Sequence, residues 1–300
     1  MFTTIILQIA FALLISYSTT KLLHKIKLSH KRQFSNHVIS SHDNEFEIPP
    51  NFTAPFGKYP NVLGITSEMR QQFHPVVDMK DKDVLELDLS NTFGASQLIR
   101  PEDADDYIQS YKERLDSEKS QYTIGKYDEN RVNLYSSEMF ENENNAIDGY
   151  EGKRTLHIGI DLGAPVGEAV HSIWNGKVHS VGYNSHLGDY GYVIVVEYDL
   201  KEMRSADGPD GIDKFWVLYG HLDSSTIERH DVGENVVRGA ILGNIGNVKE
   251  NGGWTSPHCH FQVSTIEPST HDMPGAVKIE DRSRSLLQYP DPRYIVGDLF

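Results

Sequence analysis

Three short fragments carry the residues whose types and spacing could do chemistry. His157-Ile158-Gly159-Ile160-Asp161 sets an imidazole and a carboxylate four residues apart. Gly163 and Pro165 follow the Ile-Gly-Ile centre, which favours a strand, and on a strand His157, Gly159 and Asp161 share one face. Pro257-His258-Cys259-His260-Phe261 sets two histidines at i and i+2, again on one face, with Cys259 and Phe261 turned to the packed side. Between these fragments, Tyr219-Gly220-His221-Leu222 ends a strand on a third histidine. Two histidines and one carboxylate suffice to hold a catalytic Zn2+ with a fourth position left for water. Such an ion lowers the pKa of its water toward ~7 and polarises a carbonyl, while a nearby imidazole orients or deprotonates the water. The chain has no His-Glu-x-x-His motif, so a zinc protease built on that helix is excluded.

The elements that must position these side chains are β-strands. Gly163, Gly167, Gly176, Gly182, Gly191, Gly220, Gly233, Gly239 and Gly243 punctuate short apolar runs such as Val193–Tyr198, Phe215–Leu218 and Phe261–Val263. Frequent turn signals between short strands predict a mainly β fold, with an antiparallel β-sandwich or barrel-like core over residues 150–265. The preceding segment, 61–149, reads as a small α+β extension. It has a strand-like run at Val84–Leu89 and two short strands between Tyr122 and Tyr135. Its helix begins at Pro101 with Glu102, Asp103 and Asp105 at the positive dipole end, and continues through an apolar stripe at Ala104, Tyr107, Ile108, Tyr111 and Leu115. Residues 266–300 form a C-terminal extension.

Charge is distributed unevenly along the chain, whose formal net charge is −15. Residues 1–40 hold five Lys/Arg and no acid, whereas 41–150 hold ten basic and twenty-two acidic groups. No basic stripe lies outside the first forty residues, so nucleic acid is excluded as a partner. The single cysteine, Cys259, excludes an intramolecular disulfide framework and a thiolate zinc cluster. Residues 1–20 are uncharged and apolar, the length of one membrane span, and read as a signal peptide or an N-terminal hydrophobic anchor helix. The acid-free start also fits an organelle transit peptide. Membrane association is therefore expected only through residues 1–20, with residues 21–60 as linker. That linker contains the glycosylation sequon Asn51-Phe52-Thr53.

The order HxGxD, YGHL, PHxHF over roughly one hundred residues, with glycine-punctuated strands between, resembles the lysostaphin/LytM-like zinc metalloendopeptidases. The resemblance covers about 150–265 and extends to Gly163-Ala164-Pro165-Val166-Gly167 and Gly188-Asp189-Tyr190-Gly191. It implies the duplicated hybrid motif fold and one Zn2+ per chain held by His157, Asp161 and His260. It further implies that His221 and His258 are the catalytic pair that positions water and stabilises the tetrahedral intermediate. The implied activity is hydrolysis of peptide bonds, in peptidoglycan or Gly-rich peptides, by a secreted or membrane-anchored protein with an extracytoplasmic catalytic domain. The alternative is a catalytically inactive binding or regulatory module on the same fold. Cys259 departs from the family's usual leucine, Trp254 is expected to border the groove, and the polar insert Lys201–Lys214 is expected to lengthen a loop near the site.

Overall fold

The computed structural model describes residues 53–94, 97–117, 122–135, 138–141, 146–204 and 212–299. The apolar segment 1–20 and most of the stretch read as linker lie outside them. Among the described residues, no helix is long and apolar enough to cross a membrane.

Strands dominate, as the glycine-punctuated pattern predicts. The acidic extension supplies β1 (Val84–Glu86), β2 (Tyr122–Gly125) and β3 (Glu129–Asn130). After it come β4 (Leu156–His157), β5 (Ile160–Gly163), β6 (Ala169–His171), β7 (Gly176–Asn184), β8 (Gly191–Asp199) and β9 (Lys214–Leu222). The last four are β10 (Asn235–Val236), β11 (Ile241–Asn244), β12 (His258–Ser264) and β13 (Ala276–Val277). One large sheet runs β1-β2-β5-β12-β9-β8-β7-β10, flanked by the pairs β11-β6 and the three-stranded β13-β4-β3. Every pairing in the large sheet is antiparallel except that of β1 with β2.

β8 is central, and Val193 to Val196 are all fully buried. A strand covered on both faces reads as a continuous apolar run rather than an alternating one. The predicted helix starts at Pro101 and continues as Ala104–Ser117. Its Tyr107 hydroxyl donates to the Thr255 carbonyl at 2.7 Å, which ties the extension to the loop before β12. Core packing also crosses the expected boundaries. Ala54 and Tyr59, in the stretch read as linker, are buried in the same apolar cluster as Ile160, Val195, Leu218 and Phe261. Tyr289 and Ile295 from the C-terminal extension join it as well.

One local expectation is corrected. The HxGxD fragment is not one strand: it breaks at Ile158-Gly159, so that His157 lies in the three-stranded sheet and Asp161 in the large one. A single flat strand would have placed the two residues about 13 Å apart at 3.3 Å per residue, too far to share an ion. The insert Lys201–Lys214 starts from the ends of β8 and β9 opposite His221, roughly 23 Å along β9 from that histidine, and its residues 205–211 lie outside the described residues.

Candidate metal centre

His157, Asp161 and His260 converge at the junction of the two sheets, with their ligand atoms all within 4.8 Å of one another. Antiparallel register places His260 opposite Asp161 on β5 and opposite Gly220 on β9. His157 Nε2 lies 3.2 Å and His260 Nδ1 3.0 Å from Asp161 Oδ1, and the two nitrogens are 3.1 Å apart.

The outer hydrogen bonds settle which atoms carry protons. His157 Nδ1 sits 2.7 Å from the Lys126 carbonyl oxygen, which can only accept, so Nδ1 carries the hydrogen and Nε2 a lone pair. Gln262 donates its amide to the Pro274 carbonyl, leaving its Oε1 to accept from His260 Nε2 at 2.9 Å. His260 therefore turns the lone pair of Nδ1 inward. Burial, then the charge of Arg131, lowers the pKa of His157 to about 4, so it is neutral at pH 7. Burial alone would raise the Asp161 carboxyl, but His157 and Arg131 outweigh it and hold that carboxyl well below the usual range. With both rings in these neutral tautomers, two lone pairs and a carboxylate oxygen face one point, the donor set that a divalent cation such as zinc takes. The spacings near 3.1 Å also match the edge of a tetrahedron with bonds of about 2.0–2.1 Å, roughly 3.3 Å.

Gly159 is required by this packing. A Cβ built there would meet His260 Cε1 at 2.4 Å, so the imidazole lies directly against bare backbone. Gly159→Ala is expected to destabilise the fold by about 1–3 kcal/mol through overpacking. Chemical denaturation checks this, and a loss under about 0.5 kcal/mol would refute the contact.

His221 and His258 stand beside the group, their rings 4.3 Å apart between centroids. His258 Nε2 is 3.7 Å from Asp161 Oδ1, and its Nδ1 donates to the Ser256 carbonyl at 2.7 Å. His221 Nδ1 donates to the Asn251 carbonyl at 2.8 Å. Each ring thus keeps a lone pair on Nε2. Burial, reinforced by His258 and His260, holds the His221 imidazole well below its ordinary pKa, and burial lowers that of His258 too. The backbone of His221 has φ 63°, a left-handed conformation costing about 1–2 kcal/mol outside glycine. Hydrogen bonds from its N–H to the Tyr190 carbonyl and from the Gly246 N–H to its own carbonyl hold it there. Strain kept in place by this many contacts is characteristic of sites that require one ring orientation.

Cys259 and Phe261 are fully buried on the far side of β12, as strand alternation predicts. Trp254 lines the cleft and donates from Nε1 to the Asp189 carbonyl at 3.3 Å. His171, His179 and His230 have partners of their own away from the cluster: the Gly239 carbonyl, Glu267 and Glu234.

Sequence reasoning misses four contributors. Arg131 Nη1 reaches Asp161 Oδ2 at 2.7 Å and Tyr135 Oη at 3.1 Å, while its Nε binds Glu129 Oε2 at 2.7 Å. Nothing in the spacing links positions thirty residues apart. Gln262 was findable, since it sits two residues past His260 on the same strand face. Asn251 orders the turn before β12 by accepting from the Gly253 and Trp254 N–H groups. The Tyr190 ring lies 5.2 Å from His260 and 5.6 Å from His221. Asp161, His221, His258 and His260 line a cleft between the extension and the core, whereas His157 is fully buried and forms no part of its wall.

Residues 155–272 match Peptidase family M23. Among solved structures, the catalytic domain of the antimicrobial peptidase lysostaphin from Staphylococcus simulans is 19% identical, with 63% of this chain and 96% of that chain covered and a TM-score of 0.32. A zinc-containing peptidase from Vibrio cholerae is 23% identical over 42% of this chain and 34% of that one, with a TM-score of 0.28. Csd3 of Helicobacter pylori is 24% identical over 41% of this chain, with a TM-score of 0.26, and the match spans only 27% of its length. No curated protein matches the chain.

Proposed function

With residues 155–272 a member of peptidase family M23, we propose that the chain is a zinc-dependent endopeptidase acting on peptide bonds of peptidoglycan or of Gly-rich peptides. The observation that carries this reading is the convergence of His157, Asp161 and His260, whose ligand atoms all lie within 4.8 Å of one another. These three residues would hold one zinc ion, beside the cleft that Asp161 and His260 line. When bound, zinc supplies Lewis acidity for the scissile carbonyl and for water.

The chain's own groups do the rest. His221 and His258 are neutral imidazoles whose proton-bearing Nδ1 atoms are fixed on backbone carbonyls. Their Nε2 lone pairs are free to take a proton from the attacking water. Once protonated, such an Nε2 donates to the developing oxyanion or to the leaving amine. The buried surroundings of both rings strengthen each of these hydrogen bonds relative to water. Arg131 holds Asp161 Oδ2, which keeps Oδ1 directed inward. Trp254 and Tyr190 wall the cleft and exclude water from the reacting peptide. Placement of this domain outside the cytoplasm belongs to the same proposal.

Metal removal tests it. Treatment with a strong chelator is expected to abolish cleavage of purified peptidoglycan and of a pentaglycine peptide, and one equivalent of zinc to restore it. Activity that survives complete zinc removal would overturn the reading.

A further inference from the structure

Three arginines among the described residues are fully buried: Arg131, Arg154 and Arg293. A buried guanidinium is costly unless an anion and hydrogen bonds compensate it. Arg131 has Glu129 and Asp161 at 2.7 Å, and Arg293 has Asp291 at 3.0 Å. Arg154 has neither kind of partner in full. It is 1% exposed, its Nη2 donates to the Met139 carbonyl at 2.9 Å, and its Nε meets no acceptor. The Phe140 ring lies 5.7 Å from the guanidinium carbon, and Tyr190 is close enough to act on it electrostatically.

Two carboxyls, Asp189 and Asp272, are close enough to act on Arg154 electrostatically, yet neither forms an ion pair with it. Burial raises both acids, and Asp189 raises Asp272 further, to about 7. Asp272 is therefore only partly charged at neutral pH, and no ion pair with either acid balances the guanidinium. Arg154 also lines the cleft that holds Asp161, His258 and His260. Met139 and Phe140 flank it, and Ile147, Met273, Tyr190 and Asp189 line the same cleft. A buried planar fork of donors with an unmatched Nε–H is the arrangement that selects a carboxylate, which accepts it bidentately.

The geometry points to Arg154 as a specificity-determining residue that receives a carboxylate of the peptide substrate, from an acidic side chain or a free C-terminus. This rests on the peptidase reading of the same cleft. An amide in the same place would leave a buried donor and a buried charge unmatched, so discrimination between acid and amide should be steep.

The test uses the full-length, zinc-loaded protein. Substrates are N-acetylated Gly/Ala hexapeptides carrying Glu or Gln at each position in turn, each made with a free or an amidated C-terminus. In one series the acid member is expected to be cleaved with a kcat/KM about tenfold or more above its amide. The side-chain series and the terminal series distinguish the two sources. Arg154→Met should bring that ratio close to one with zinc content unchanged, and Arg154→Lys should restore part of it. Equal cleavage of acids and amides by the wild type overturns the proposal while leaving the peptidase reading intact, as does a preference that survives in Arg154→Met. If no peptide is cleaved, the peptidase reading fails, and calorimetry with N-acetylglutamate and N-acetylglutamine decides the subsite. Acid-selective binding that Arg154→Met abolishes supports the subsite, and its absence overturns it. Should Arg154→Met not fold, the wild-type ratios and Arg154→Lys still decide.

Discussion

Replacing His260 with alanine is expected to remove zinc and lower kcat/KM for peptide hydrolysis by about 10³-fold or more, whereas His258→Ala should keep zinc and lose about 10²- to 10⁴-fold. The two residues are neighbours on one strand face, yet their nitrogens are committed differently. His260 gives its proton to Gln262 and turns Nδ1 inward against Asp161 and His157. His258 gives its proton to the Ser256 carbonyl and stands 3.7 Å from Asp161, outside the tight triangle. Removing His260 also leaves Gln262 Oε1 without a donor and opens a void against Gly159. Zinc per chain by emission spectrometry, beside kinetics on one peptide, checks the division. Stoichiometric zinc in His260→Ala would show the ligand set to be wrong. Zinc loss in His258→Ala would show the division of roles to be wrong.

The second large effect belongs to a residue outside the three motifs. Arg131→Met is expected to cost about 3–5 kcal/mol of stability in the metal-free protein, because buried carboxylates lose their countercharge. Glu129 and Asp161 are both buried, and each places one oxygen 2.7 Å from the guanidinium. Zinc affinity should fall as well, by about 10- to 100-fold, since the carboxylate would no longer be held in orientation. With zinc bound, part of the charge on Asp161 is compensated, so the stability loss should shrink. Denaturant unfolding with and without zinc, together with competition against a calibrated chelator, measures both effects. A metal-free loss under about 1 kcal/mol would contradict the role given to Arg131.

That His157, Asp161, His221, His258 and His260 belong to one site is what the resemblance of the three ordered fragments implies, while strand alternation fixes only which side chains within one fragment share a face. That rule works well on β12, where His258 and His260 point one way and Cys259 and Phe261 the other. It fails on HxGxD, where Gly159 allows a break and the two ends enter different sheets. The helix after Pro101 follows from local signals of proline, acids and an apolar stripe, and it forms there. Arg131, Arg154 and the burial of Ala54 and Tyr59 are not legible locally. Each depends on partners distant in sequence, fifteen residues away for Arg154 and thirty or more for the others, and only the assembled fold brings them together. Arg131 and the Lys126 carbonyl carry the contact of the acidic extension with the metal group.

The pairing of β2 with β5 has a consequence for how the molecule can be divided. Thr123, Ile124 and Gly125 lie against Gly163, Leu162 and Asp161, so β2 is the outer neighbour of the strand that bears the carboxylate. A chain begun at residue 150 would keep every motif histidine and still leave that flank of β5 bare, with amide and carbonyl groups open to whatever strand arrives first. Such a flank is a template for intermolecular pairing. The shortened protein should therefore associate through β5, in solution or in inclusion bodies, and the acidic segment doubles as the built-in guard against that self-adhesion.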